Sequence, residues 1–184
     1  MPRLVGVAGG AGHGKDELGQ ALVELGWQRK AFADKVKDFL YAMNPPAPHA
    51  EGVEAYSLAL EVDCFGWDEV KGYPGVRKLL QRCGTEAGRG VLGPDVWVNA
   101  LFDDYEEWDT PVVITDVRFP NEAQAIKDRG GLVVQVRRPK QILAEGADHV
   151  SERALKDWEF DAVLVNDGTV EELHEQLRAL TRAQ

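Results

Sequence analysis

The fold is decided near the start of the chain by residues 4–15, which read LVGVAGGAGHGK. The first five of them form an apolar run typical of a buried strand, and the last seven fit the pattern G-x-x-x-x-G-K. Beyond this stretch, apolar residues recur with the spacing of one helix face at Leu18, Ala21, Leu22 and Leu25. A strand, a glycine-rich loop and a helix in this order predict a loop that binds phosphate groups.

Such a loop binds phosphate because its glycines let successive backbone N–H groups point into one concavity. The start of the following helix adds partial positive charge, and Lys15 adds a full one. A dinucleotide-binding loop is the alternative, but it requires G-x-G-x-x-G and gives Lys15 no purpose. We expect His13, at a variable position of the pattern, to face solvent. The residues predicted to contact the phosphates are Gly10, Ala11, Gly12, His13, Gly14, Lys15, Asp16 and Glu17.

The metal ligands of the site are predicted to be carboxylates. A hydroxyl residue usually follows the lysine and holds Mg²⁺, but Asp16 stands at that place here. A carboxylate can hold Mg²⁺ directly or through water. Asp116 closes an apolar run at residues 111–116, where an acid near the metal or the acceptor is expected. The sequence therefore predicts Mg²⁺ held by Asp16 and Asp116, with a helix cap or a loop acid as the alternative role of Asp116.

The order of the predicted elements indicates an α/β fold. Residues 111–116 and 132–136 predict two buried strands, and residues 27–32 and 161–166 predict two more. Helical segments separate them, and each connection is long enough for a crossover, so a parallel sheet flanked by helices is expected. Thr169 and Glu172 form a capping box that is predicted to begin the last helix. The absence of a repeat or a linker predicts one domain spanning residues 1–184.

Composition restricts the partners. The chain has 184 residues, of which 44% are hydrophobic and 28% are charged, which fits an ordinary globular protein. Its net charge of −10 repels polyanions, so we expect no nucleic acid partner. No stretch approaches the ~20 apolar residues of a membrane span, so no membrane association and a cytoplasmic location are expected. Cys64 and Cys83 are predicted to be reduced structural thiols.

Candidate residues for binding an acceptor lie at strand and helix ends. Arg118 follows Asp116 at the edge where open α/β sheets bind ligands, and its planar guanidinium suits a phosphate. Lys35 follows the second predicted strand and is a further candidate for a phosphate contact. Trp97 is predicted to belong to the core or to stack on a base, with the core favoured.

Further polar residues form a helical row and a basic connection. Four polar residues recur with a four-residue spacing, which places them in a row along one side of a predicted helix. This side of the helix faces either the acceptor or solvent. Arg137 and Arg138 lie before the last strand, where they belong either to a lid over the transferring group or to the surface. The row consists of Arg77, Gln81, Thr85 and Arg89.

Several motifs together resemble one family. They are G-x-x-x-x-G-K-D, then DVRFPNEA at residues 116–123, HVSE at 149–152 and NDGT at 166–169. The sequence resembles phage-type deoxynucleoside monophosphate kinases over nearly its whole length, and DVRFPNEA is the most specific piece. Phosphomevalonate kinase and dephospho-CoA kinase share the loop and the general plan. In this chain Glu17 replaces the threonine that is common in the family.

This resemblance implies a P-loop kinase architecture with a five-stranded parallel sheet, an acceptor-binding helical insertion at about 34–108 and a lid at about 137–153. It implies ATP as the phosphoryl donor, Mg²⁺, and a deoxynucleoside monophosphate as the acceptor. A homodimer is compatible with it. Two alternatives stay open: a kinase of another small phosphorylated acceptor, and a nucleotide-binding regulatory module without catalysis. A regulatory module needs one nucleotide site, whereas the arginine-rich lid and the polar helix row indicate two.

The resemblance also assigns residues to roles. The catalytic group is implied to be Lys15, Asp16, Asp116, Arg118 and Arg138. Arg137 is implied to contact ATP, and the turn with Asn166 and Gly168 is implied to lie beside its adenine. Ser151 has a helix cap as an alternative role. The implied acceptor contacts are Asp34, Lys35, Arg77, Gln81, Thr85, Arg89, Trp97, Arg118, Asn121, Glu122, His149, Ser151 and Glu152.

Overall fold

The computed structural model describes residues 4–48, 55–139 and 154–182. It divides into two compact units, the first made of Met1–Ala31 and Asp104–Gln184 and the second of Phe32–Asp103. In chain order, the elements are β1 (Leu4–Ala8), α1 (Lys15–Val23), β2 (Gln28–Lys30), α2 (Phe32–Met43), β3 (Pro46–Ala47), β4 (Tyr56–Ser57), α3 (Leu58–Val70), α4 (Pro74–Gln81), a π-helix (Arg82–Leu92), α5 (Val96–Phe102), a 3₁₀ turn (Tyr105–Glu107), β5 (Val112–Val117), α6 (Pro120–Asp128), β6 (Leu132–Arg137), β7 (Ala162–Val165) and α7 (Val170–Arg182).

The first unit is built on a five-stranded sheet with the order β2-β5-β1-β6-β7. All four strand pairings are parallel. Strand β1 is buried along its whole length because it has neighbours on both sides. The sheet confirms the predicted α/β class and the five parallel strands that the family resemblance implies.

Helices α1 and α7 share one apolar core with the sheet. Leu22 of α1 and Leu177 of α7 are each 1% exposed and belong to the same buried cluster as Val134 of β6. Leu25, which the sequence places on the apolar face of the first helix, lies outside this core, and so does Val170. Leu25 is 55% exposed because α1 ends at Val23, and Val170 is 42% exposed because it is the first residue of α7.

Strand β5 carries a bulge close to its carboxyl end. Gly6 of β1 pairs with Ile114, but Ala8 pairs with Val117, so two residues of β5 lie opposite one of β1. The two are Thr115 and Asp116. A bulge changes the direction of the side chains around it and is common beside active sites. The bulge therefore sets the direction in which Asp116 leaves the strand.

The second unit is mainly helical and has its own core. Val36 and Leu40 of α2 are buried with Leu58 of α3 and Val76 of α4. Phe39 and Met43 of the same helix α2 are 43% and 60% exposed. Strands β3 and β4 form a short antiparallel pair, and α3 is kinked at Gly66, whose φ is 77°.

One predicted helix changes its winding. The row Arg77, Gln81, Thr85 and Arg89 was expected along one α-helix, but the last two residues lie in the π-helix that follows α4. Each π turn holds more than four residues, so a four-residue spacing no longer returns to the same side. Gly84, inside the π-helix, favours this departure because glycine is a poor α-helix former. Arg89 is accordingly half-buried while the other three are exposed.

Two further features of the described residues bear on the sequence expectations. Cys64 and Cys83 are both free thiols, and burial raises the pKa of the Cys83 thiol. In the part of the chain that the structure describes, no helix combines the length and the apolarity needed to cross a bilayer.

Candidate active site

The candidate site lies along one edge of the parallel sheet. Because parallel strands run in the same direction, their carboxyl ends meet at one edge, which is where open α/β sheets bind ligands. The glycine-rich loop follows β1, and Arg118 follows β5. Arg137 and Arg138 lie at the end of β6, and Asn166 follows β7. The first unit thus gathers at this edge most of the charged residues that the sequence assigns to phosphate binding.

The loop between β1 and α1 depends on glycine at three positions. Gly9, Gly12 and Gly14 have φ values of 150°, 73° and 102°, in the positive range that other residues avoid. A Cβ atom on Gly9 would lie 2.6 Å from the Val136 carbonyl oxygen. Gly14 precedes α1 as its N-cap and has no side chain to occupy the free N–H groups there. These N–H groups remain available to an anion.

Lys15 is held against the loop that precedes it. Its Nζ donates hydrogen bonds of 2.8 Å to the carbonyl oxygens of Gly9 and Gly10. The two bonds fix a full positive charge beside the loop backbone. A charge in this position attracts the terminal phosphates of a nucleotide.

His13 is only partly exposed, whereas the sequence predicts that it faces solvent. The ring is half-buried, and a Cβ atom on Gly10 would lie 2.9 Å from it. His13 Nδ1 lies 3.1 Å from both the Gly10 nitrogen and the Val136 carbonyl oxygen. One tautomer satisfies only one of these contacts, because Nδ1 either accepts from Gly10 or donates to Val136. The ring therefore packs the loop onto the end of β6.

Asn166 supports the loop from the neighbouring strand end. Its side chain is 5% exposed, and Nδ2 donates a hydrogen bond of 2.9 Å to the His13 carbonyl oxygen. The implied contact with adenine does not fit this burial. Gly168, also assigned to the adenine, is exposed and lies beside Glu172, and its contact with adenine stays a prediction. The Glu172 carboxylate accepts from Thr169 N, as the predicted capping box requires.

The two acids assigned to the metal are Asp16 and Asp116. Asp16 is exposed in the first turn of α1, as is Glu17, which is assigned to the phosphates, and Asp116 is half-buried at the β5 bulge. Within the described ranges, no three or more His, Cys, Asp or Glu side chains are grouped for metal binding. Mg²⁺ does not need such a group, since one or two carboxylates with substrate phosphates and waters suffice. The acids present fit that donor set, and their role as ligands stays a prediction.

The candidate residues after β5 differ in exposure: Glu122 is buried and has a structural role, whereas Arg118 is exposed. Glu122 is 1% exposed, and its Oε2 accepts from the backbone nitrogens of Arg118 and Phe119 at 2.7 Å and 3.0 Å. This contact caps α6 and gives the buried carboxylate a structural role, while the implied contact of Glu122 with the acceptor stays a prediction. Arg118 is exposed at the strand end, and Asn121 is half-buried in the first turn of α6. Glu122 thereby fixes the backbone from which Arg118 extends.

Arg137, the last residue of β6, and Arg138, which follows it, are both exposed. Arg138 Nη1 lies 3.4 Å from the carbonyl oxygen of Gly12, which brings its guanidinium to the phosphate loop. Arg137 donates from Nε to Gln135 Oε1. His149, Ser151 and Glu152 lie outside the described residues, as does most of the lid segment.

The second unit holds the remaining residues assigned to the acceptor. Asp34 lies in the first turn of α2 and pairs with Lys37 at 3.3 Å, and Lys35 beside it is half-buried. Arg89 Nη1 donates a hydrogen bond of 2.6 Å to the Gly84 carbonyl oxygen. Their contacts with an acceptor stay a prediction.

Trp97 belongs to the core of the second unit. It is 4% exposed, and its Nε1 donates a hydrogen bond of 2.8 Å to the same Gly84 carbonyl oxygen. The ring packs edge to face on Phe39 and against Gly88. This supports the core role that the sequence favours and leaves the indole no open face on which a base can stack.

Sequence reasoning missed Gln176 of α7 altogether. Its side-chain amide accepts from Val165 N and donates to Val165 O, both at 2.9 Å. Gln176 thus satisfies both backbone groups of Val165, the last residue of the edge strand β7. Nothing in the local sequence distinguishes this glutamine from an exposed one.

The fold and the site define a P-loop phosphotransferase: a parallel sheet, a phosphate-binding loop after β1, and cations at the carboxyl edge. The family model for "Deoxynucleotide monophosphate kinase" matches residues 53–177, and the chain belongs to this family. The chain is also 31% identical over 195 residues to a "Putative deoxynucleotide monophosphate kinase" of Acanthamoeba polyphaga mimivirus, covering 95% of this chain and 93% of the relative.

Two other similarities have a narrower meaning. A "Deoxynucleoside-5'-monophosphate kinase" of Escherichia phage T5 is 36% identical over 96 residues, which span 49% of this chain and 38% of the phage protein. The crystal structure of TT1252 from Thermus thermophilus superposes with a TM-score of 0.51 at 18% identity, over 99% of this chain and 97% of that one. The latter likeness shows the fold alone.

Proposed function

We propose that the protein transfers the γ-phosphoryl group of ATP to a deoxynucleoside monophosphate, giving ADP and a deoxynucleoside diphosphate. The observation that carries this proposal is the glycine-rich loop with Lys15 at the carboxyl edge of the sheet, in a chain of the deoxynucleotide monophosphate kinase family. Phosphoryl transfer demands positioning and charge stabilisation rather than covalent chemistry by the protein. The carboxyl edge of the sheet offers both positioning and charge stabilisation.

The proposed roles follow from charge and position. Lys15 and the loop N–H groups bind the β- and γ-phosphates of ATP and stabilise charge that develops on the transferring group. Arg138, beside Gly12, neutralises the same group from the β6 end. Bound Mg²⁺, with Asp16 and Asp116 as its protein ligands, would supply further charge neutralisation on the phosphate oxygens. No general base is required, since an acceptor phosphate is already anionic at neutral pH.

The acceptor phosphate is assigned to Arg118. Its guanidinium can bind two phosphate oxygens at once, and the Glu122 cap holds its backbone. Other recognition of the acceptor is assigned to the insertion at about 34–108 and to the lid at about 137–153. In this proposal the substrates are small nucleotides, and no nucleic acid takes part.

Turnover with each of the four deoxynucleoside monophosphates in the presence of ATP and Mg²⁺ tests the proposal. ADP formation that depends on at least one of them is the expected result, and the matching ribonucleotides measure discrimination by the sugar. Activity with a different phosphorylated acceptor alone would contradict the assigned substrate but not phosphoryl transfer. Nucleotide binding without turnover on any acceptor would contradict both.

Asp16→Ala is expected to raise several-fold the Mg²⁺ concentration that gives half-maximal rate. The variant offers the metal neither a hydroxyl nor a carboxylate at this place in the loop. A Mg²⁺ titration of the rate at saturating ATP and acceptor measures the effect, with the exposed Asp109→Ala as the control. An unchanged titration would transfer the role to Asp116 or Glu17.

Arg118→Lys is expected to weaken binding of the deoxynucleoside monophosphate by about tenfold or more and to leave ATP binding almost unchanged. Lysine keeps the charge but loses the two-pronged geometry, and hydrogen bonds to charged groups contribute ~1.5–3 kcal/mol. Calorimetric titration of each ligand separately measures this, with the exposed Arg178→Lys as the control. Weaker ATP binding with intact acceptor binding would show that the two half-sites are assigned the wrong way round.

A further inference from the structure

We infer that Asn166 is a positioning residue of the phosphate loop, acting through the His13–Gly14 peptide rather than by contact with the nucleotide base. The inference deepens the proposed function, on which it rests, since it names the group that holds the ATP-binding loop in its binding conformation. It depends only on described residues of the first unit.

The hydrogen bond from Asn166 sets the orientation of one loop peptide. Nδ2 of Asn166 donates to the His13 carbonyl oxygen at 2.9 Å. The structure has no cis peptide among its described residues, and in a trans peptide the C=O and N–H groups point in opposite directions. Holding the His13 carbonyl toward Asn166 therefore directs the N–H of Gly14 away from it. Asn166 thus fixes a loop donor that it does not itself touch.

The contact is tight. A Cβ atom built on Gly14 would lie 2.4 Å from Asn166 Nδ2 and 3.5 Å from Leu173 Cδ2. The amide therefore lies directly against the Gly14 backbone. Gly14 also has the positive φ of 102°. Position 14 therefore requires glycine for two reasons: its φ is positive, and the Asn166 amide leaves no room for a Cβ atom.

Asn166 is itself firmly held. Its backbone nitrogen donates to the Arg137 carbonyl oxygen at 2.8 Å, which joins it to the end of β6. The residue before it, Val165, is bonded on its N–H and its C=O by the Gln176 side chain of α7. The loop peptide is consequently tied to two strands and a helix. Support of this kind lowers the cost of ordering a site when its ligand binds.

The burial of Asn166 argues against a direct role with adenine. Only 5% of the residue is exposed, and its amide nitrogen already donates to His13. A base contact requires an accessible edge. The side chain instead has the position and the chemistry of a group that orients phosphate donors.

Binding of inorganic tripolyphosphate separates the two roles, because this ligand has phosphates and no base. Calorimetry with ATP and with tripolyphosphate, each with Mg²⁺, is compared for the wild type, Asn166→Ala and Asn166→Asp. Asn166→Asp keeps the volume of the side chain and removes both of its N–H donors. This variant provides the same test if the alanine variant fails to fold. The exposed Asn99→Asp makes the same chemical change elsewhere.

We expect Asn166→Ala to weaken both ligands by the same factor of about two to ten, which corresponds to the loss of one neutral hydrogen bond. Asn166→Asp should weaken both more strongly because it adds a negative charge near the loop. Deoxynucleoside monophosphate binding should not change in either variant. Weaker ATP binding with unchanged tripolyphosphate binding would overturn the inference in favour of a base contact. Unchanged binding of both ligands would reduce Asn166 to a structural residue.

The comparison of ligand binding in the Asn166 variants does not depend on whether the protein catalyses phosphoryl transfer. Wild-type protein that binds tripolyphosphate but forms no ADP with any deoxynucleoside monophosphate would contradict the proposed function, while the Asn166 comparison would still decide the positioning role.

Discussion

Lys15→Ala is expected to lower the turnover of ATP and acceptor by about 10²–10³ and to leave the protein folded. One charged donor aimed at the developing charge of a transition state typically contributes a factor of this size. In the structure the ammonium group donates to the backbone of its own loop, at Gly9 and Gly10. Lys15 is not a member of the buried apolar core of the sheet, so the loss is expected to fall on catalysis.

Steady-state ADP formation at saturating substrates measures the effect, and thermal unfolding followed by circular dichroism checks the fold. Lys71→Ala is the matched control, because Lys71 is an exposed lysine whose ion pair with Asp68 lies on the surface of the second unit. Near-wild-type turnover of Lys15→Ala would remove the loop from the mechanism.

The parts of the fold that the sequence predicts correctly are those set by local pattern. The β-branched runs at β5 and β6 are buried strands because their residues pack on both faces of the sheet. The Thr169–Glu172 capping box is seen as expected, since its two hydrogen bonds join residues three apart. The glycine spacing of the phosphate loop gives the positive φ values that it implies. Each of these features needs only neighbours in the sequence.

The contacts that the sequence does not reveal are those that neither a motif nor a local pattern specifies. Asn166 and His13 are 153 residues apart, and nothing near either residue signals their hydrogen bond. The Nδ1 atom of His13 lies 3.1 Å from the carbonyl oxygen of Val136, which belongs to another strand. Glu122 lies in a motif typical of the family, yet its carboxylate is used by the backbone of the same motif. A motif identifies which residues gather at a site, but not which of them face the ligand.

The π-helix shows a different limit of prediction from sequence. The four-residue spacing from Arg77 to Arg89 correctly indicates a helical segment, but periodicity does not distinguish an α turn from the wider π turn. Here the carbonyl oxygen of Gly84 accepts from both Arg89 and Trp97. These bonds come from the guanidinium and the indole, so the winding depends on side chains rather than on propensity alone.

Gly14→Ala is expected to lower both the stability of the protein and its binding of ATP. A positive φ costs a residue with a Cβ atom roughly 1–2 kcal/mol, and forcing an extra methyl group into a packed place costs about 1–3 kcal/mol more. At 2.4 Å from Asn166 Nδ2, the new Cβ atom must displace either the amide or the loop. Either displacement turns the His13–Gly14 peptide, and a shift of about 1 Å in a positioning group can lower turnover by ~10².

Gly26→Ala isolates the contribution of the contact. Gly26 has a φ of 86°, but nothing lies within 4 Å of a Cβ atom placed on it. Both variants therefore carry the backbone strain, and only Gly14→Ala meets Asn166. Urea unfolding and calorimetric titration with ATP should show the larger loss of stability, together with the loss of ATP binding, in Gly14→Ala. In the double variant Gly14→Ala with Asn166→Ala, part of the lost stability should return, because the amide that the methyl group meets is gone. Equal losses of stability in Gly14→Ala and Gly26→Ala, with ATP binding intact in both, would mean that the amide yields freely and does not hold the loop.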